Sequence, residues 1–309
     1  MICTPGPDAV SYFQGRIRIE QAWLSRYAKS HPHHPEFASL CEKNVDKHLE
    51  TLEQLYAIVP HIIPRLPEIN IPILWHKDLH DTNLMIQNAE GSPIIVDILD
   101  WQFMSVGPAF TQTVGAEFLK YTGSAIDMGP GSTLPKLPDN FDSLPDAEKA
   151  TVRLELVYAS RHKLYATLVQ RRKTLHYVSQ IYPFTHYIVM ALLSASRTWY
   201  KGLHQLREIM YQIVEVWPEI ASGAPLPDCV DVASLQRDHL EFSVRSDQYE
   251  ENVASLSARL QIEQDGWISS ERYEEVMKMN RKEKQEWDSE QMGGPYPFQD
   301  GAPSWFVNL

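Results

Sequence analysis

Three side chains in one short stretch are of types that could work together chemically. Asp78, Asn83 five residues later, and Asp100 twenty-two residues after Asp78 supply two carboxylates and an amide. Phosphoryl transfer asks little covalent chemistry of a protein. It needs a carboxylate beside the attacking hydroxyl and oxygen ligands that hold Mg²⁺ against nucleotide phosphates. Oxygen donors of this kind suit a hard cation. His76, Asp78 and His80 could instead be read as zinc ligands on an extended segment, since imidazole and carboxylate both bind zinc. That alternative leaves Asn83 and Asp100 without a role.

The elements that must position these groups can be read around them. Ile69–Trp75 is an extended lead into the site. Leu84–Gln87 reads as a short apolar strand, Asn88–Pro93 is rich in turn formers with Gly91 able to take a positive φ, and Ile94–Leu99 is a β-branched strand ending at Asp100. A hairpin of this length folds back on itself and returns Asp100 towards Asn83. The interval also fits phosphoryl-transfer catalytic loops, which space a base and a metal-binding Asn as H-R-D-L-x-x-x-N. His76-Lys77-Asp78-Leu79-His80-Asp81-Thr82-Asn83 keeps that interval.

H-x-D-L-H-x-x-N, followed by a hairpin and I-x-D-W at Ile98–Trp101, resembles the aminoglycoside phosphotransferase and choline kinase-like family. L-W-H-x-D-L-H-x-x-N and the closing G-G-P-Y-P-F-Q-D-G at 293–301 are most similar to a fungal branch that includes proteins named for altered inheritance of mitochondria. The motif match covers about forty residues. The resemblance implies that Asp78 is the catalytic base, that Asn83 and Asp100 are metal ligands, and that His76, His80 and Trp101 give structural support. It also implies Mg²⁺ and ATP as cofactors, a small-molecule hydroxyl acceptor, and a cytoplasmic or mitochondrial, in any case intracellular, setting. Members of the family carry an acidic residue near the turn at Gly107-Pro108, where this chain has Ala109-Phe110.

The fold expected is α+β and predominantly helical, a protein-kinase-like large (C-terminal) lobe with a catalytic β-hairpin. Residues 1–309 read as one domain, with a helical lead-in over 1–73, the catalytic loop and hairpin over 74–110, and a helical substrate-side part and tail over 111–309. The small nucleotide lobe is expected to be missing. Only 75 residues precede His76, and Gly6 and Gly15 stand in no G-x-G-x-x-G setting. The function expected is therefore a truncated small-molecule phosphotransferase, with an inactive pseudokinase-like binding protein or an incomplete gene product as the alternative.

In chain order, Asp8 is placed to cap a helix from Ala9. His31-Pro32-His33-His34-Pro35 reads as a stiff loop. Phe37 to Tyr56 has an apolar face at helical spacing, with Pro60 and Pro64 expected to end it. Gly107-Pro108 reads as a turn, with Thr111 capping a helix through Tyr121. Gly123–Asp142 reads as a surface loop. Its Gly129-Pro130-Gly131-Ser132 lacks the Gly-Lys-Ser/Thr ending of a phosphate loop. Glu117, Asp127 and this loop are candidates for the acceptor pocket. Helices are expected over Asp146–Thr174, Pro183–Tyr200, Leu203–Trp217, Asp231–Asp265 and Ser269–Gln291, with Trp305-Phe306 pinning the tail.

The formal charge is −12, from 28 Lys and Arg against 40 Asp and Glu, which disfavours nucleic acid as a partner. An acidic chain suits a cationic substrate such as an aminoglycoside or a choline-type amine, and equally suits plain solubility. Cys3, Cys41 and Cys229 are odd in number and far apart, so they imply no disulfide framework. No apolar run reaches the length of a membrane span, and the first residues lack an apolar signal core or an Arg-rich amphipathic leader. The sequence carries no sign of its oligomeric state.

Overall fold

The computed structural model describes residues 8–31, 42–89, 91–102, 104–112, 117–262, 268–299 and 302–303. The prolines and histidines after His31, the segment Phe37–Cys41, and Trp305-Phe306 lie outside them. In chain order the elements are α1 (Ala9–Tyr27), α2 (Val45–Ile62), β1 (Pro72–Trp75), β2 (Leu84–Ala89), β3 (Ser92–Ile98), β4 (Ser105–Pro108), α3 (Asp146–Arg172), α4 (Thr174–Ile181), α5 (Thr185–Ala195), α6 (Thr198–Lys201), α7 (His204–Glu215), α8 (Trp217–Ile220), α9 (Val232–Leu260), α10 (Tyr273–Glu286), β5 (Phe298–Gln299) and β6 (Ala302–Pro303). The fold is α+β and predominantly helical, with small antiparallel sheets. Among the described residues no helix is long and apolar enough to cross a membrane.

The chain gathers into two compact units. One holds the chain up to Tyr12 together with Ile63–Thr185, and the other holds Phe13–Ile62 together with the chain from His186 onward.

The first unit carries every residue of the expected site. β1 pairs antiparallel with β4, with Trp75 opposite Ser105, and β2 pairs with β3, with Leu84 opposite Ile98. Gly107-Pro108 therefore belongs to a strand and not to a turn. Pro72 faces Pro108 at the end of this two-stranded sheet, a position where a missing N–H costs no ladder bond. Residues 109–111 form a single 3-10 turn instead of opening a helix, and Phe110 is fully buried. α4 packs against this turn and against the 3-10 turn Pro67–Ile69. α3 builds a second cluster, in which Ile126, Val152 and Ala159 are buried beneath Tyr121, Phe141 and Leu144.

Asp8, in the first unit, caps α1 by accepting from the Ser11 amide at 2.7 Å, which also holds its carboxyl below the usual range. In the second unit, α2 runs through Pro60 and ends at Ile62, two residues before Pro64, so of the two prolines expected to end it Pro60 does not. A proline inside a helix leaves the carbonyl four residues earlier without a donor. That carbonyl is Tyr56 O, and the Gln14 amide donates to it at 3.3 Å. α9 starts on Asp231, whose side chain accepts from Ser234 N, and ends on Gln261 in the left-handed region at φ 52. Leu256 and Leu260 at its end pack with Tyr296 and with Met279, Trp287 and Phe298. The expected helix over Pro183–Tyr200 is two pieces, α5 and α6, and the charged Ser269–Gln291 segment is helical over the 3-10 turn Ser270–Arg272 and α10, up to Glu286.

Candidate active site

Asp78 and Asn83 stand on the loop between β1 and β2, and Asp100 stands just past the end of β3. Residues Asp81–Asn83 form a 3-10 turn closed by Asn83 N donating to His80 O at 3.1 Å. Gly91 at φ 83 supplies the left-handed position in the turn that joins β2 to β3. A bulge between Met85 and Ile86 shifts the register. At the open end of the ribbon Leu99 N donates to Asn83 O at 2.8 Å. Asp100 therefore follows directly on the residue held against Asn83.

Asn83 is the buried member, 8% exposed. Its amide nitrogen donates to the Asp78 carbonyl at 2.9 Å and to Nε2 of His80 at 2.9 Å. With that ring nitrogen accepting, the imidazole proton sits on Nδ1, which contacts Thr82 Oγ1 at 2.6 Å. Both amide hydrogens of Asn83 are thus used, and its Oδ1 is the atom left to meet a cation. Asp78 Oδ2 lies 3.9 Å from His80 Nε2, and the Asp78 side chain is 72% exposed. In this tautomer no proton lies between the two, so the Asp78 carboxylate keeps its capacity to accept from a hydroxyl.

Asp100 occupies the left-handed region at φ 60, a conformation that costs a non-glycine residue on the order of 1 kcal/mol. Two rings hold the backbone before it. His76 Nε2 donates to Leu99 O at 2.9 Å, and Trp101 Nε1 donates to Ile98 O at 2.6 Å. The two rings meet edge to face at 5.0 Å between centroids. The Asp100 carboxylate is exposed and accepts from Gln102 Nε2 at 3.3 Å. Below the site, Trp75 at the end of β1 stacks on His176 of α4 at 5.2 Å, and burial lowers the pKa of that imidazole.

The structure thus joins Asp78, His80 and Asn83 in one hydrogen-bonded loop and fixes His76 and Trp101 on the carbonyls ahead of Asp100. Thr82, Gln102 and His176 also belong to this arrangement. Sequence spacing did not single them out, because hydroxyl, amide and ring partners at these positions follow no motif. Among the described residues no group of three or more His, Cys, Asp or Glu side chains is placed to hold a metal ion. Both ring nitrogens of His80 are engaged elsewhere, by Thr82 and Asn83, so His80 is not free to join His76 and Asp78 on a zinc ion in this arrangement. Two carboxylates and an amide do not make such a group, and the donor set they offer is all oxygen.

The other acceptor-pocket candidates are engaged locally. Asp127 accepts from Gly129 N at 2.8 Å. The buried Lys163 donates to Gly129 O and Gly131 O at 2.9 and 2.8 Å, so this glycine loop turns carbonyls towards a cation and is not a cradle of N–H groups for phosphate. The side chain of Glu117 lies outside the described residues.

No family model matches the chain, and no solved structure matches it significantly. It is 27% identical over 292 residues to subtelomeric hrmA-associated cluster proteins of two strains of Aspergillus fumigatus, an alignment that covers 91% of this chain and 54% of each relative. The chain therefore spans about half the length of the curated relatives it matches.

Proposed function

We propose that this chain carries the kinase-like large lobe of a small-molecule phosphotransferase, which passes the γ-phosphoryl group of ATP to an alcohol acceptor. The observation that carries this reading is the hydrogen-bonded loop Asp78–His80–Asn83 with Asp100 held at φ 60 beside it. Strain kept in place by surrounding bonds is characteristic of functional sites. The donor set fits Mg²⁺: Asn83 Oδ1 and the Asp100 carboxylate would hold the ion, which when bound would neutralise charge on the phosphates. Asp78 orients the acceptor hydroxyl and takes its proton. His80 and Thr82 fix which face of the Asn83 amide presents oxygen. His76 and Trp101 hold the turn into Asp100. The acidic chain carries no feature that favours nucleic acid.

A second reading, a binding protein without turnover, is favoured by one observation. Among the described residues ahead of Asp78, β1 is the one strand, and no glycine-rich turn stands there to grip β- and γ-phosphates. Misplacing reacting groups costs about a hundredfold in rate. Under the phosphotransferase reading the nucleotide grip is not supplied by the described residues ahead of Asp78.

Mn²⁺ binding to the purified chain, followed by water-proton relaxation, tests the site. Asn83→Ala and Asp100→Ala should each weaken binding by about tenfold or more, one lost charge-assisted oxygen contact being worth about 1.5–3 kcal/mol. Unchanged binding in Asp100→Ala overturns the assignment. ATP turnover by the chain alone, abolished in Asp78→Asn, would overturn the second reading.

A further inference from the structure

α3 is a helix of 27 residues, about 40 Å long at 1.5 Å per residue, and it carries two apolar stripes. One faces inward, where Val152, Ala159 and Val169 are buried, the first two in the core cluster of the first unit. The other faces outward. Ala147, Ala150, Leu154, Val157, Leu164 and Leu168 are all exposed, Leu154 at 51%, Val157 at 61% and Leu164 at 56%. Both stripes have helical spacing, so sequence alone does not tell them apart. The fold does, by spending one of them on the core.

The outward stripe has a regular rhythm. With Arg161 and Arg171 included, its positions alternate at intervals of three and four from Ala147 to Arg171. That is the a and d seam of a heptad pattern, sustained over about three and a half repeats. So narrow a seam suits the side chains of another helix, where a broad apolar face would suit a core or a membrane surface. Arg161 near its middle lies over its own Tyr158 ring at 5.0 Å. This draws the charge to the flank and leaves the aliphatic stem in the seam.

The seam is complementary to a reversed copy of itself. Two α3 helices running the same way would set Arg161 on Arg161 and Arg171 on Arg171. Running antiparallel, Leu154 of one copy meets Leu164 of the other, Leu168 meets Ala150, and Arg161 meets Val157. Asp146 in the acidic first turn then lies beside Arg171 in the basic last turn of the other copy. Covering the exposed parts of Leu154, Val157, Tyr158, Leu164 and Leu168 on two copies removes on the order of 1,000 Å² of surface, the size at which a specific interface becomes possible.

We infer that α3 is a self-association surface, on which a second copy of this chain docks its own α3 antiparallel. The surface is separate from the Asp78 loop, and the inference does not rest on the phosphotransferase reading.

Sedimentation velocity of the full chain, from about 1 to 100 µM, tests this. The mass should rise from 35.5 kDa towards twice that value, with a Kd on the order of 10 µM, as suits an interface at the low end of the size range. Leu164→Glu, at an exposed position, should leave the circular dichroism unchanged and weaken the dimer about tenfold or more, because it puts two carboxylates into the seam. Asp146→Lys and Arg171→Glu should each weaken it about threefold, and the two together should restore wild-type affinity. A chain that stays monomeric at about 100 µM overturns the inference. Co-sedimentation of that monomer with phosphatidylserine vesicles, lost in Leu164→Glu, would assign the seam to a membrane surface instead. A dimer untouched by Leu164→Glu overturns the inference by placing the contact elsewhere. A double charge variant that does not recover overturns it by denying the antiparallel register.

Discussion

Glu20 on α1 gives a stability prediction whose sign and size follow from its surroundings. Burial pushes its carboxyl from the ordinary 4.5 up to about 7, against the opposing pull of Thr198 and Arg16. The folded chain therefore holds a proton on Glu20 over a pH range in which the unfolded chain has released it. Stability from this group is full below pH 4.5 and is lost as pH rises through about 7. The shift corresponds to about 3 kcal/mol at 1.36 kcal/mol per pH unit. Glu20→Gln keeps the shape and stays neutral throughout. Urea unfolding followed by circular dichroism from pH 4.5 to 8.5 should show the variant and the wild type nearly equal at the acid end. Towards pH 8 the variant should gain up to about 3 kcal/mol on the wild type. Other titrating groups cancel in the difference between the two proteins. Parallel curves, or a gain at the acid end, would refute the argument, because either would mean that Glu20 is ionised in the folded chain.

Two further outcomes follow from single contacts. Gln14→Ala should cost about 1 kcal/mol by orphaning Tyr56 O, and close to nothing in a Pro60→Ala background, where the restored amide takes that carbonyl; equal costs in both backgrounds would sever the link. Lys163→Met should loosen the loop whose Gly129 and Gly131 carbonyls it holds, speeding hydrogen exchange at the Thr133 amide about tenfold; unchanged exchange would mean the loop is held by other bonds.

What could be read from the sequence was local. The ribbon from Leu84 to Ile98 follows from β-branched residues on both sides of a turn-forming run with Gly91, and its register follows from that turn. The Asp8 cap and the long helices α3 and α9 follow from capping residues and apolar spacing. What could not be read depended on partners distant in sequence. Pro60 does not end α2 because Gln14, forty-six residues earlier, supplies the missing donor. Gly107-Pro108 became strand because Ile71–Trp75 offered an edge, with Ala109 N donating to Ile71 O. At the site, the spacing of Asp78, Asn83 and Asp100 was legible. The tautomer of His80 that orients Asn83 was not, since it depends on a threonine hydroxyl. A cavity in the second unit draws its lining from Glu42 to Pro295, and no window of sequence contains it.

Among the described residues the ribbon of β2 and β3 has no third strand in its sheet, and Ile86, Ile94, Ile95 and Val96 are each more than half exposed. Two open rows of backbone donors and acceptors lined with branched aliphatics form a template onto which another chain could add. Pro93 at the entry to β3 and Asp97 near its end interrupt the Ile94-Ile95-Val96 run on either side. They act as gatekeepers that limit strand addition to the exposed ribbon.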